Sequence, residues 1–197
     1  MHTYNPETIL VYGSFADETN NEASDFDALI ISDYSDTKHD VSYIEGTQLD
    51  VFVHSPETFE NYFSPKDFIQ LGGGQIILDR NGLGEKVLTC VNDYIERFSE
   101  KGHEELLEEV DWCEKMRNRI LRNDPEGFFR WHLVLTESLE VYCDIVKQYY
   151  LGPNKALNLL KENDIEGYNL YVEALEKFEL QTLDNWIQYL KEILEHK

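Results

Sequence analysis

Gly13-Ser14-Phe15-Ala16-Asp17-Glu18, Ser24-Asp25-Phe26-Asp27-Ala28-Leu29-Ile30-Ile31 and Gln48-Leu49-Asp50-Val51-Phe52-Val53 are the stretches on which the fold turns. The run Ile9-Leu10-Val11-Tyr12 is short, apolar and stopped by Gly13-Ser14, while the other two have strand length and β-branched or aromatic content. Side chains at i and i+2 of a strand share a face, so Asp25 and Asp27 converge. If the strand of Asp50 is a neighbour, a third carboxylate joins them. Three acids on one face repel each other unless cations hold them. Oxygen ligands of this kind suit Mg²⁺, which keeps several waters and takes its remaining ligands from substrate phosphates. Two such ions about 3.5–4 Å apart would activate an attacking oxygen and stabilise a leaving pyrophosphate. Gly13-Ser14 supplies the complementary part: a glycine lets backbone approach a phosphate, and a serine hydroxyl with the next N–H groups can bind it. Neither Gly-Ser nor D-x-D is specific alone. Their order along the chain is, against the alternative of a solvated acidic loop.

These residues resemble the nucleotidyltransferase superfamily of DNA polymerase beta. Its pattern of G-S, then S-D-x-D about ten residues later, then a strand Asp, is matched by Gly13, Ser14, Ser24, Asp25, Asp27 and Asp50. The motif covers roughly residues 9–54, and the layout more loosely 1–80. With helices behind it, the chain is similar to the small bacterial branch of aminoglycoside and lincosamide nucleotidyltransferases, and to minimal nucleotidyltransferases that act as antitoxins. The resemblance implies a mixed β-sheet catalytic domain. It also implies that Asp25 and Asp27 hold two Mg²⁺, that Asp50 holds the catalytic ion and helps deprotonate the acceptor, and that Ser14 contacts the triphosphate of an NTP, ATP foremost. Two departures stand out. The family's G-S-x-A-[R/K]-G reads here with Asp17 and Glu18 in the last two places, and the long helix that often precedes the first strand is missing.

Outward from the motif, Gln75-Ile76-Ile77-Leu78 is a further strand, entered by Gly72-Gly73-Gly74. That triplet lacks the spacing and lysine of a Walker loop and reads as a turn. Short helices are expected over 15–20 and 56–63. From about Gly84 the spacing becomes helical, with Val87, Val91, Tyr94 and Ile95 in one stripe and Leu106, Leu107, Val110 and Cys113 in the next. A long apolar helix is expected over Phe128–Tyr150, ended by Gly152-Pro153, with others near 156–162, 168–178 and 183–194. The fold class is therefore α+β: a strand-rich domain over 1–83 followed by an α-helical bundle over 84–197, with the boundary near residues 82–100 and within a helix that docks both parts.

The chain has 197 residues, with 17 Lys and Arg against 39 Asp and Glu, a formal charge of −22. Such a field repels polyanions and attracts small cations, so nucleic acid is not a favoured partner. No apolar run approaches the roughly 18 residues that span a bilayer, and the start Met1–Pro6 lacks the regions of a signal peptide. Cys90, Cys113 and Cys143 are odd in number and widely spaced, which fits buried thiols of a reducing, cytoplasmic setting.

Residues 1–65 hold 13 acids and one Lys or Arg, Lys38. Cations for a triphosphate must therefore come from elsewhere. Lys115, Arg119 and Arg122, at i, i+4 and i+7, form one helix face that either is solvated or faces the triphosphate. Arg130 and Lys155 are further candidates. Lys38, within Lys38-His39-Asp40, can overhang the site or belong to a polar hairpin. Glu137 and Glu140 lie in the most apolar helix, where a carboxylate must be paired or face a cleft, and Glu137 is the candidate for the acceptor. His132 does not complete an R-x(4–6)-H ribonuclease motif, since Arg130 is too near and Arg119 and Arg122 are too distant. The expected function is Mg²⁺-dependent transfer of a nucleoside monophosphate from an NTP to a hydroxyl of a small cationic acceptor, such as an aminoglycoside antibiotic. The alternatives are an antitoxin-like protein that modifies or binds another protein, and a degenerate member without turnover. A homodimer is compatible with aromatic residues in the bundle.

Overall fold

The computed structural model describes residues 4–33, 37–98 and 101–196. They fall into two compact units, Met1–Arg97 and Phe98–Lys197. The first carries β1 (Thr8–Val11), α1 (Gly13–Ala16), β2 (Phe26–Ile31), β3 (Lys38–Asp40), β4 (Tyr43–Ile44), β5 (Thr47–His54), α2 (Glu57–Glu60), a 3-10 segment (Pro65–Leu71), β6 (Gln75–Asp79) and α3 (Leu83–Phe98). The six strands form one mixed sheet in the order β3-β5-β2-β1-β6, with β4 also pairing to β5. β2 and β5 run parallel, and the other pairs are antiparallel. A parallel pair cannot be joined by a tight turn. The connection between β2 and β5 is accordingly long, and it contributes β3 and β4.

Alternation divides the sheet into two faces. Leu10, Tyr12, Leu29 and Ile31 bury on one side with Phe59, Leu71, Leu83, Val87 and Val91. Ile9, Val11, Ala28, Ile30, Val51 and Val53 bury on the other with Tyr4 and Ala16. The helix expected to open the bundle therefore packs on the sheet: Val87 and Val91 of α3 are fully buried there. Its amphipathic stripe is legible in the sequence, but a stripe does not say which layer covers it. The two compact units divide between Arg97 and Phe98, at the end of α3.

The second unit contains α4 (His103–Ile120), α5 (Pro125–Ile145), α6 (Pro153–Asn163), α7 (Ile165–Glu176) and α8 (Leu180–Glu195). Val110, Cys113, Trp131, Leu139, Tyr142, Leu160, Tyr171 and Trp186 are among its core residues. The polar ends of two large aromatic side chains in that core find partners. Trp186 Nε1 donates to Ser138 Oγ at 2.8 Å, and the Tyr171 hydroxyl donates to the Leu135 carbonyl at 2.7 Å. Two boundaries differ from expectation. α5 stops at Ile145, short of Tyr150, and Lys147 takes a left-handed conformation just beyond it. Gly152-Pro153 opens α6, with Gly152 at the N-cap and Pro153 in the first turn, where its missing N–H costs nothing. All three cysteines are free: Cys113 and Cys143 are buried and Cys90 is half-buried. Among the described residues, no helix is long and apolar enough to cross a membrane.

Candidate functional site

The parallel register of β2 on β5 sets Asp27 directly beside Asp50. Asp25 stands just before β2, two residues from Asp27. The three carboxylates offer ligand oxygens within 4.8 Å of one another. Asp25 is exposed, whereas Asp27 and Asp50 are half-buried. Desolvation, reinforced by Asp25 and Asp50, pushes Asp27 up to about pKa 6. The triad thus carries more negative charge than its surroundings neutralise, which is the state a divalent cation relieves.

The turn after β1 is shaped around this cluster. Gly13 has φ 66°, and a Cβ there would lie 2.3 Å from Asp27 Oδ2. Glycine is required twice over, for the backbone conformation and for the space that Asp27 occupies. Ser14 follows in α1, half-buried, its hydroxyl without a partner among the described residues. Asp17 ends α1, and Glu18 takes φ 57°. Glu18 thus holds a left-handed conformation despite carrying a side chain.

Two residues at the cluster were not singled out from the sequence. His39 of β3 lies opposite Phe52 of β5, stacks on it with ring centroids 4.2 Å apart, and directs Nε2 to Asp50 Oδ1. Tyr12, at the end of the run that reads simply as a buried strand, is 6% exposed. Burial, then Asp50, Asp27 and Asp25, raise its pKa and keep its hydroxyl protonated beside the carboxylates. Period-two alternation could have found His39 once β3 was known to pair with β5. Nothing in the sequence marks Tyr12 beyond its position before Gly13.

Lys38 does not join the triad. Its neighbour His39 takes the carboxylate face, so alternation turns Lys38 to the other. There its ammonium donates to the Tyr4 hydroxyl at 2.9 Å and lies 5.1 Å from the Tyr4 ring centroid. The expected basic stripe is also shortened. α4 ends at Ile120, and Arg122 turns to Asp124 and Glu126 at 2.9 and 2.7 Å. Lys115 and Arg119 are exposed on α4. Arg119 has one weak contact, 3.9 Å to the Met116 sulfur. Arg130 pairs with Glu126 at 3.4 Å.

Glu137 lies on a cleft of about 470 Å³ within the helical unit. α4 lines it with Glu105, Glu108, Glu109 and Trp112, and α5 with Glu137, Glu140, Val141 and Asp144. Both sets follow i, i+3, i+4, i+7, the spacing of one helix face. Lys101 reaches in, paired with Glu109 and, at 2.7 Å, with Asp144. Burial alone would lower the Lys101 pKa, but its bonds to Asp144 and Glu109 outweigh that and hold it above the usual range. Burial and the nearby Asp144 raise Glu140. One lysine among six carboxylates leaves the cleft strongly acidic.

No protein-family model matches the chain, and no curated protein matches it. Among solved structures it is similar to a nucleotidyltransferase-like protein from Exiguobacterium sibiricum 255-15, at 13% identity and a TM-score of 0.44, over 100% of this chain and 70% of that one.

Proposed function

We propose that this protein is a divalent-cation-dependent nucleotidyltransferase that moves a nucleoside monophosphate from an NTP, ATP foremost, to a hydroxyl of a small cationic acceptor and releases pyrophosphate. The convergence of Asp25, Asp27 and Asp50 from paired parallel strands, beside a glycine that leaves room for Asp27, carries this reading. The donor set fits Mg²⁺: all ligands are hard carboxylate oxygens, crowded enough to raise a proton affinity. Asp25 and Asp27 would hold both ions, and Asp50 one of them. When bound, the ions supply neutralisation of phosphate charge and acidify the acceptor hydroxyl.

The chain's own residues do the rest by position. The acceptor oxygen bonds to the α-phosphorus as the bond to the bridging oxygen of pyrophosphate breaks, and the hydroxyl proton passes to the Asp50 carboxylate. His39 fixes the orientation of Asp50 through Oδ1. Ser14 offers an unused hydroxyl to a phosphate oxygen. The net charge of −22 and the Glu137 cleft favour a polycationic acceptor, an aminoglycoside being the apt chemical class. Glu109 Oε2, buried there without a hydrogen-bond partner, is an acceptor for an incoming ammonium.

The test is incubation with labelled ATP, Mg²⁺ and an aminoglycoside panel, following pyrophosphate and the mass of the product. Drug carrying a nucleotide is expected. Asp27→Asn should lower the rate on the order of 100-fold or more while circular dichroism is unchanged. Glu137→Gln should raise KM for the acceptor and leave ATP binding intact. Absence of pyrophosphate with every acceptor would overturn the reading, and label found only on a co-purified protein would favour the antitoxin-like alternative.

A further inference from the structure

The sheet face that carries the carboxylates does not end at them. Leu29 follows Asp27 on β2 and Phe52 follows Asp50 on β5, each two residues on and so on the same face, about 6.8 Å further along the strand. There a cavity of about 420 Å³ opens, within the range of small-molecule sites. Leu29 and Leu71, both fully buried, form its floor. Tyr12, Phe52 and Phe68 give it aromatic walls, and the exposed Asp67 and Gln70 stand at its rim. An apolar floor under a polar rim suits a flat ring with hydrogen-bonding edges. His54, also lining it, is kept neutral by burial, which lowers its pKa. Tyr12 joins the cavity to the triad. Tyr12 is 6% exposed as a residue and lies in the field of all three carboxylates, and its hydroxyl makes no hydrogen bond among the described residues. That hydroxyl is a donor open to a ligand oxygen at the junction.

We propose that this cavity receives the base of a nucleotide whose phosphates lie against Asp25, Asp27 and Asp50, with the Tyr12 hydroxyl donating a hydrogen bond to that nucleotide. This inference rests on the nucleotidyltransferase reading and adds to it the place and chemistry of donor recognition: stacking and apolar contact within the sheet unit itself. The walls bind the ring, and the triad with its ions binds the phosphates.

Titration calorimetry of the full chain in Mg²⁺, with a non-hydrolysable ATP analogue and with tripolyphosphate, separates the two claims. The analogue should bind on the order of 10-fold more tightly than tripolyphosphate, the gain expected of one stacked base. Phe68→Leu, which keeps apolar volume and removes the aromatic face, should erase most of that gain. Tyr12→Phe should weaken the analogue about 3–10-fold, the worth of one hydrogen bond. Both variants should bind tripolyphosphate as the parent does, which also reports an intact triad. Equal affinity of the parent for both ligands, or equal weakening of both by the variants, overturns the base pocket and leaves the nucleotidyltransferase reading standing. Failure of the parent to bind either ligand overturns both.

Discussion

At the scale of single residues, the left-handed positions near the triad are the most telling. Glu18 holds φ 57°, a conformation that costs an L residue with a side chain about 1–2 kcal/mol. Glycine relieves that strain but is less restricted when unfolded, so Glu18→Gly should stabilise the chain by about 0.5–1 kcal/mol in chemical denaturation. A loss of stability would mean that the Glu18 side chain contributes more than its backbone strain costs. Asp27 sets a pH dependence of its own. Its folded pKa of about 6 lies above the unfolded value near 3.9, so its contribution favours the folded state at low pH and is lost as pH rises from about 4 through 6. Divalent cations compete for the same oxygens and should therefore raise the Tm more at about pH 8 than at about pH 5. Equal shifts at both pH values would argue that metal does not displace the Asp27 proton. Asp25 and Asp27 were legible in the sequence because strand period acts over short spans, while Asp50 entered through the resemblance and on the condition that its strand is a neighbour. His39 and Tyr12 were not, since their roles depend on strand pairing across the sheet. Lys38 shows the same limit from the other side: a lysine beside the right strand was turned away by a register the sequence does not display.

At the scale of elements, the junction of β6 and α3 shows how one side chain ties sheet to helix. Asp79 accepts hydrogen bonds from the Thr8 hydroxyl at 3.0 Å, the Gly82 N–H at 3.1 Å and the Glu85 N–H at 3.0 Å. These satisfy donors at the start of α3 that otherwise have no partner. Asp79→Ala should cost about 1–2 kcal/mol by thermal or chemical denaturation. Burial pushes the Asp79 carboxyl up, but the bonds from Glu85, Gly84, Thr8 and Gly82 prevail and hold it below its usual range. Its stabilisation is therefore present above about pH 4 and lost as pH falls further, opposite in sign to Asp27. A variant that loses nothing at neutral pH would show that water caps α3 equally well. The four strands read from apolar runs stand where expected to within a residue or two; β1, β2 and β5 each bury residues in the sheet's core, while β6 at the edge keeps Ile76 and Ile77 exposed. β3 and β4 escaped notice: Lys38-His39-Asp40 is polar throughout, and only backbone pairing to β5 makes it a strand. The end of α5 escaped for a related reason. The apolar pattern runs on past Ile145 into a segment that packs without being helical, as half-buried Tyr149 and Tyr150 illustrate.

At the scale of the whole molecule, 39 acids against 17 bases mean that folding gathers like charge. Self-repulsion of this kind destabilises a compact chain, and salt screens it. Raising NaCl from about 0.01 M to about 0.15 M shortens the screening length from roughly 30 Å to roughly 8 Å and should raise the Tm by a few degrees. A fall in Tm would show instead that ion pairs such as Arg117–Asp184 and Lys191–Glu114 outweigh the repulsion. The α+β class was legible at this scale because the change from strand runs to helical spacing is visible along the chain, whereas membership of α3 in the sheet unit was not. The parallel pairing of β2 with β5 has one more consequence, for protein engineering. Antiparallel neighbours inherit their alignment from the turn that joins them, but these two strands are aligned by their own flanks. The hairpin tip at Glu45 and Gly46, where both residues take positive φ, is thus a tolerant splice point, at which foreign peptide can be grafted without dislodging the carboxylates.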